Sequence, residues 1–331
     1  MERYDLQSSV NYQFSYTRYI FKVLLKSWKV LIFIAAYSFL AYKLLTFNQY
    51  YELFLQIKQT TILQFWWLLA VFVLLPVNWL LEAIKWKKLT SNVQKLKLSI
   101  AIKSVLVGIS TGFFTPNRVG ELLGRIMFLD SENRKAGVTL SLVNSLTQNL
   151  IMTLCGIPAC IFYFNITNAN SPSDNSIFLL VLILVFVIFG MFYFALPNIG
   201  RQFSKSRFVT RITDYVSCLS TYNSTDLILI ILISLMRYFV FCTQFFLLLR
   251  FFNIQLELWQ ALIAIPTNYL FVTFTPSVAF SEAAVRSSYA VLVIGFFSSN
   301  IVGIALAGMC IWMINFVIPM MVGSIIMVRN R

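Results

Sequence analysis

Two short patterns in the sequence could do chemistry with charge. Phe114-Thr115-Pro116 is followed by Glu121 and Arg125, and Phe274-Thr275-Pro276 is followed by Glu282 and Arg286. Glu and Arg are four residues apart in both, so on a helix they share a face and can reach each other. Both pairs lie in apolar surroundings, where an isolated charge costs on the order of 3 kcal/mol. Such charges either pair as locking salt bridges or face a polar cavity, and both readings stay open. A helix beginning at Pro116 or Pro276 would present unpaired N–H groups and a positive dipole end to the break, which favours an anion such as phosphate. Arg118, one turn from the first break, reinforces that preference. The glutamates could orient the arginines, meet a cationic headgroup, or carry a coupling proton if burial raises their pKa. Arg237 lies mid-run in an apolar segment with Gln244 two turns on, and either pairs with Glu282 or Glu121 or belongs to the substrate path. The candidate substrate-binding residues are therefore Arg118, Glu121, Arg125, Arg237, Glu282 and Arg286, with Pro116 and Pro276 as structural breaks.

The elements that must position them are apolar. Of 331 residues, 59% are hydrophobic and 11% charged, against about a quarter charged in soluble domains. Runs at about 30–46, 62–81, 138–164, 176–196, 227–251 and 302–328 are long enough to cross a hydrocarbon core of roughly 30 Å. The regions 98–129 and 259–297 are apolar too, but each is interrupted at its Thr-Pro, leaving halves too short for a comfortable crossing. Proline removes a donor and restricts the residue before it, so each break predicts a turn between two half-helices. The expected fold is an all-α polytopic membrane protein with about six full spans plus two re-entrant helical hairpins.

Charge sets the expected orientation. With the N-terminus cytoplasmic, the predicted inside segments carry 19 of the 26 Lys and Arg and the outside segments carry two. Both termini are then cytoplasmic, in a bacterial-type inner membrane. The count also requires each broken region to enter and leave on one side, the first from the cytoplasm and the second from outside. Span, broken hairpin, span describes 62–164 and again 227–328. The expectation is an inverted-topology repeat, with a site near the midplane between broken helices. The expected units are 1–61, an N-terminal tail and first span; 62–164, the first repeat; 165–226, a connecting span and basic loop; and 227–331, the second repeat.

Other features are blander. The net charge of +14 lies in short loops, as positive-inside topology requires, and points to no nucleic acid. Lys85-Trp86-Lys87-Lys88 to Lys97 is expected on the cytoplasmic surface as an amphipathic basic stretch. The absence of histidine removes His-based triads and zinc sites, and no cofactor or metal is expected. Five cysteines without a C-x-x-C pair read as packing residues. The N-terminus does not read as a cleavable signal, and nothing flanking the membrane region reads as a soluble catalytic domain. Asn144, Gln148 and Asn149 give the third span a polar face, ordinarily used for interhelical hydrogen bonds.

At these motifs the sequence resembles a known family. Asn78-Trp79-Leu80-Leu81-Glu82 followed by Lys85-Trp86-Lys87-Lys88-Leu89 is similar to the basic segment of the membrane domain of lysylphosphatidylglycerol synthase/flippase proteins. Pro116-Asn117-Arg118-Val119-Gly120-Glu121-Leu122-Leu123-Gly124-Arg125 is similar to that family's first proline motif. Pro276 to Glu282-Ala283-Ala284 is similar to its second, with Ser277, Val278 and Ala279 where the family favours glycine. The resemblance implies a stand-alone flippase-like form, without the aminoacyl-transfer domain, that moves a lipid or polyprenyl-linked headgroup between leaflets. The implied partner is a membrane lipid with an anionic phosphate headgroup, and a homo-oligomer is compatible with it. The competing readings are a membrane-embedded lipid-modifying transferase and a non-catalytic subunit of a membrane complex.

Overall fold

A computed structural model describes residues 62–113, 115, 118–167, 172–205, 213, 215–275 and 279–329, with isolated positions at 51, 54, 55 and 58. The expected first span at 30–46 and the two prolines, Pro116 and Pro276, lie outside the described residues. The described chain is helical, with no strand. Its helices are α1 (Ile62–Thr90), α2 (Leu98–Phe113), α3 (Gly120–Ile126), α4 (Arg134–Thr167), α5 (Pro172–Lys205), α6 (Ser224–Phe251), α7 (Leu258–Phe274), α8 (Ala279–Ile294), α9 (Ile301–Trp312) and α10 (Ile318–Arg329). A five-residue π-helical turn, Met313–Val317, joins α9 to α10.

Four segments are long and apolar enough to cross a membrane: Gln64–Thr90, Ser131–Thr167, Ser224–Phe251 and Ile301–Arg329. The expected span at 176–196 lies within α5. Large apolar side chains face outward on these helices, among them Leu180, Leu184, Ile188 and Met191 on α5, with Phe65, Trp66 and Trp67 at the start of α1. Water would not tolerate such a belt, whereas hydrocarbon and its interface do, and tryptophan is at home at that interface. The protein is a multi-pass membrane protein.

The two broken regions fold as antiparallel helical pairs. In the first, α2 and α3 touch along their lengths: Ser104 Oγ donates to the Arg125 carbonyl at 3.0 Å, and Thr111 Oγ1 to the Gly120 carbonyl at 2.7 Å. At the turn, the Gly120 amide donates to Thr115 Oγ1 at 2.8 Å. In the second, Phe271 on α7 meets Tyr289 on α8 at 5.6 Å between ring centroids, while Trp259 and Phe297 meet at 6.0 Å at the open end. In each region the second helix therefore runs back alongside the first.

The long helices pack around these pairs in a reciprocal pattern. α1 lies antiparallel on α6: Phe65 is against Phe251, Gln244 Nε2 donates to the Val71 carbonyl at 3.1 Å, and Lys88 pairs with Asp226 at 2.8 Å. α4 packs on α7, the first arm of the second hairpin, and α10 packs on α2, the first arm of the first. The α10–α2 seam is close enough that Ser110 Oγ donates to the Met320 carbonyl. At the loop end of the bundle, burial pushes the Cys218 thiol up to about 11 and raises the Tyr222 phenol, whose hydroxyl donates to the Leu89 carbonyl.

One expectation needs correction here. The stretch from Lys85 to Leu89 is not a surface amphipathic segment, because α1 runs unbroken to Thr90 and Lys85 and Trp86 are fully buried. The last apolar run forms the expected long segment, Ile301–Arg329, with the π turn inside it.

Candidate functional site

Glu82 is the hub of the charged core. It sits on α1 four residues after Asn78 and three before Lys85, so helical spacing turns all three toward the same interior. Its carboxylate is 1% exposed and accepts from four groups. Arg125 Nη2 and Asn144 Nδ2 donate to Oε1 at 2.5 and 2.7 Å, and Lys85 Nζ and Arg237 Nη1 approach Oε2 at 3.0 and 2.6 Å. Four elements meet on one side chain. A carboxylate has about four acceptor sites, so Glu82 is saturated. Arg125 also pairs with Glu121, the expected i,i+4 partner, and its guanidinium lies 5.5 Å from the Trp86 ring. Arg237 pairs with Glu82, not with Glu282 or Glu121, and donates through Nε to Asn78 Oδ1 at 2.7 Å. Asn78 Nδ2 in turn donates to Asn315 Oδ1 on the π turn at 2.9 Å.

A second network joins the two hairpins. Glu282 Oε1 accepts from Arg118 Nη2, across the hairpin tips, at 2.5 Å and from Arg286 Nη2, its own i,i+4 partner, at 3.0 Å. Phe316 on the π turn is the platform for both cations: the Arg118 guanidinium lies 3.6 Å and that of Arg286 4.7 Å from its ring centroid. Arg118 holds a left-handed backbone, φ 59°, unfavourable for a side chain of this kind by about 1–2 kcal/mol. Its ion pair and ring contact offset that cost. Nearby, Phe113 at the first tip, Ala283 on α8, Trp312, Val317 and Met320 form a small apolar cluster that fastens the hairpins to the π turn.

Between the networks lies a cavity of about 500 Å³. Glu82, Arg118, Glu121, Arg237, Glu282 and Arg286 line it, together with Asn144, Ser145, Gln148 and Asn149 from α4 and the rings of Phe113, Phe241, Tyr269, Phe274 and Phe316. Of the six residues singled out in the sequence, five reach this space. Arg125 does not: it is 1% exposed and stands behind Glu121. The two networks hold five cations, Lys85, Arg118, Arg125, Arg237 and Arg286, against three carboxylates, Glu82, Glu121 and Glu282, a surplus of two positive charges. Arg118 is the most exposed charge among the ion pairs of these networks, its side chain 32% accessible. Such a surplus in a partly enclosed, low-dielectric space attracts an anion. Among the described residues no His, Cys, Asp and Glu cluster could hold a metal ion.

Sequence reading missed Glu82, Lys85, Asn315 and Phe316. Asn78, Glu82 and Lys85 at helical spacing inside an apolar helix carried a signal that the neighbouring Lys87-Lys88 obscured. Phe316 carried none, because a phenylalanine in an apolar run reads as packing.

No curated protein and no solved structure matches the chain. The model of the family described as the lysylphosphatidylglycerol synthase TM region does match, over residues 26–323. With nearly the whole chain inside that match, the protein belongs to the lysylphosphatidylglycerol synthase membrane-region family.

Proposed function

We propose that the protein is a flippase-like transporter that moves a phosphate-bearing lipid headgroup, on a phospholipid or a polyprenyl carrier, between leaflets. The observation that carries this reading is the Arg118–Glu282 contact, in which the tips of two antiparallel hairpins meet at one charged, partly open cavity. A headgroup crossing a bilayer needs a polar path at mid-depth while its chains stay in hydrocarbon, and broken helices are the usual way to line such a path. Arg237 lies near the midpoint of α6, which sets this cavity far from either helix end. In this reading the hairpins are re-entrant from opposite faces, units 62–164 and 227–331 are inverted repeats, and both termini are cytoplasmic. The antiparallel pairing of α1 with α6 supports it, since equivalent helices of inverted repeats run in opposite directions. Arg118, Glu121, Arg237, Glu282 and Arg286 form the path and Arg125 braces Glu121. An anionic ligand phosphate competes with the Glu282 carboxylate for Arg118 and Arg286, which frees the hairpin tips to part.

The test is movement of a headgroup-labelled anionic phospholipid in proteoliposomes. Arg118→Ala and Glu282→Ala are expected to abolish it in protein that still purifies as a folded species. Normal movement in both variants overturns the assignment. Chemical conversion of the labelled lipid by the purified protein would favour the transferase reading instead.

A further inference from the structure

The π turn stands between two halves of the last span that grip different hairpins. α9 packs along α8 and α10 along α2, and among the described residues neither half packs extensively on the other's hairpin. Both seams are tight. Ser287 Oγ on α8 donates to the Ala305 carbonyl on α9 at 3.0 Å, and a Cβ added at Gly308 would come within 3.0 Å of Ser287 Cα. On the other side Ser110 Oγ donates to the Met320 carbonyl, and a Cβ at Gly323 would run into the Leu106 carbonyl. Close-packed seams resist deformation, whereas a helix yields at an interrupted turn, so each half moves with the hairpin it grips.

The turn between them is weakly bonded along the backbone. The Ile318 amide reaches back five residues to the Met313 carbonyl instead of four. Asn315 Nδ2 donates to the Ile311 carbonyl at 3.3 Å, a side-chain bond that competes with the helix ladder. Pro319 has no amide proton for the Asn315 carbonyl, which a regular helix would pair. From outside, the turn is held by Asn78 Nδ2 on α1, which donates to Asn315 Oδ1 at 2.9 Å where both side chains are buried. We infer that the π turn is the hinge on which the two hairpins part, and that Asn315 is the positioning residue that keeps it shut through Asn78. An α-helix has fewer residues per turn than a π-helix, so relaxing the turn to α twists α10 about its axis relative to α9. That twist carries the first hairpin away from the second and withdraws Phe316 from beneath Arg118 and Arg286. As a step of transport the motion rests on the transport reading, while the hinge itself is a property of the fold.

The experiment measures distances between paired spin labels in the full chain, its five cysteines replaced by alanine, in phosphatidylcholine nanodiscs. One pair spans the hinge, with labels at the exposed positions Leu123 on α3 and Leu292 on α8; the other, Leu123 with Ile325 on α10, stays on one side of it. Asn315→Leu removes both side-chain bonds of Asn315. It is expected to raise the ratio of a second Leu123–Leu292 distance to the first about tenfold over the parent, the factor given by two hydrogen bonds of ordinary net strength. The Leu123–Ile325 distance is expected to stay as in the parent. If that variant fails to fold, Asn78→Leu breaks the shared bond from α1 and is expected to raise the same ratio about threefold, as one such bond gives. A Leu123–Leu292 distribution unchanged in the folded variant overturns the hinge, and so does equal broadening of both pairs, which marks general loosening. Unchanged distances in protein that moves labelled headgroups remove the hinge and leave transport standing. Shifted distances in a parent chain that moves no headgroup leave the hinge and overturn the transport reading.

Discussion

Glu82→Gln is the sharpest perturbation of the charged core. The side chain keeps its shape, but the charge that holds Lys85, Arg125 and Arg237 together is gone. The five-group cluster of Glu82, Glu121, Lys85, Arg125 and Arg237 passes from one surplus positive charge to two. The amide oxygen can still accept two of the four bonds, either from Arg125 and Asn144 or from Lys85 and Arg237. The amide nitrogen then faces the other two donors, donor against donor. Removing one partner from a buried ion pair costs about 3–5 kcal/mol, because the remaining charge stays buried. With Lys85 and Arg125 at 0% and 1% exposure, solvent offers little relief. Adding Lys85→Met removes one stranded cation and one donor, so the double variant should recover about 1–3 kcal/mol relative to Glu82→Gln alone. The assay is unfolding of the purified protein in detergent, comparing the parent, both single variants and the double. Strict additivity, or a Glu82→Gln variant as stable as the parent, would refute the idea that Glu82 neutralises this cluster.

Four further outcomes are expected. Phe316→Leu removes the ring beneath Arg118 and Arg286, each contact worth about 0.5–2 kcal/mol. Headgroup movement should slow about tenfold or more, whereas Phe316→Tyr keeps the ring and near-parent rates, as a proteoliposome assay would read. Gly124→Ala places a Cβ against Thr111 Oγ1, 2.7 Å from Gly108 Cα and 2.7 Å from the Val107 carbonyl. Prising α3 from α2 in this way should cost about 1–3 kcal/mol, visible as a lowered unfolding temperature. The Cys218 thiol, raised from 9.0 to about 11, should hold roughly a hundredth of the ordinary thiolate fraction near neutral pH. Maleimide labelling at Cys218 should therefore lag far behind that of unfolded protein and rise only as pH climbs toward the shifted value. A tag in the connector at 130–137 should be cytoplasmic, as the inverted repeat requires, and a periplasmic tag would remove the mirror relation between the halves.

Hydropathy and local spacing made much of this protein legible. The apolar runs identify the membrane, because no water-soluble fold can afford so many outward leucines and phenylalanines. The two Thr-Pro interruptions mark the breaks between paired helices, since proline restricts the residue before it and removes a helix donor. The i,i+4 pairs Glu121–Arg125 and Glu282–Arg286 follow from helix geometry alone. What tertiary structure decided is who completes each charge. Arg237 lies 155 residues from Glu82 and Arg118 lies 164 from Glu282, and no periodicity reaches that far. Only the packing of α1 on α6 brings Glu82 to Arg237 and takes Lys85 out of water. Only a π turn, a backbone event without a sequence signature here, sets Asn315 toward one network and Phe316 under the other. Charges in a low-dielectric interior must find partners, but folding, not spacing, chooses which.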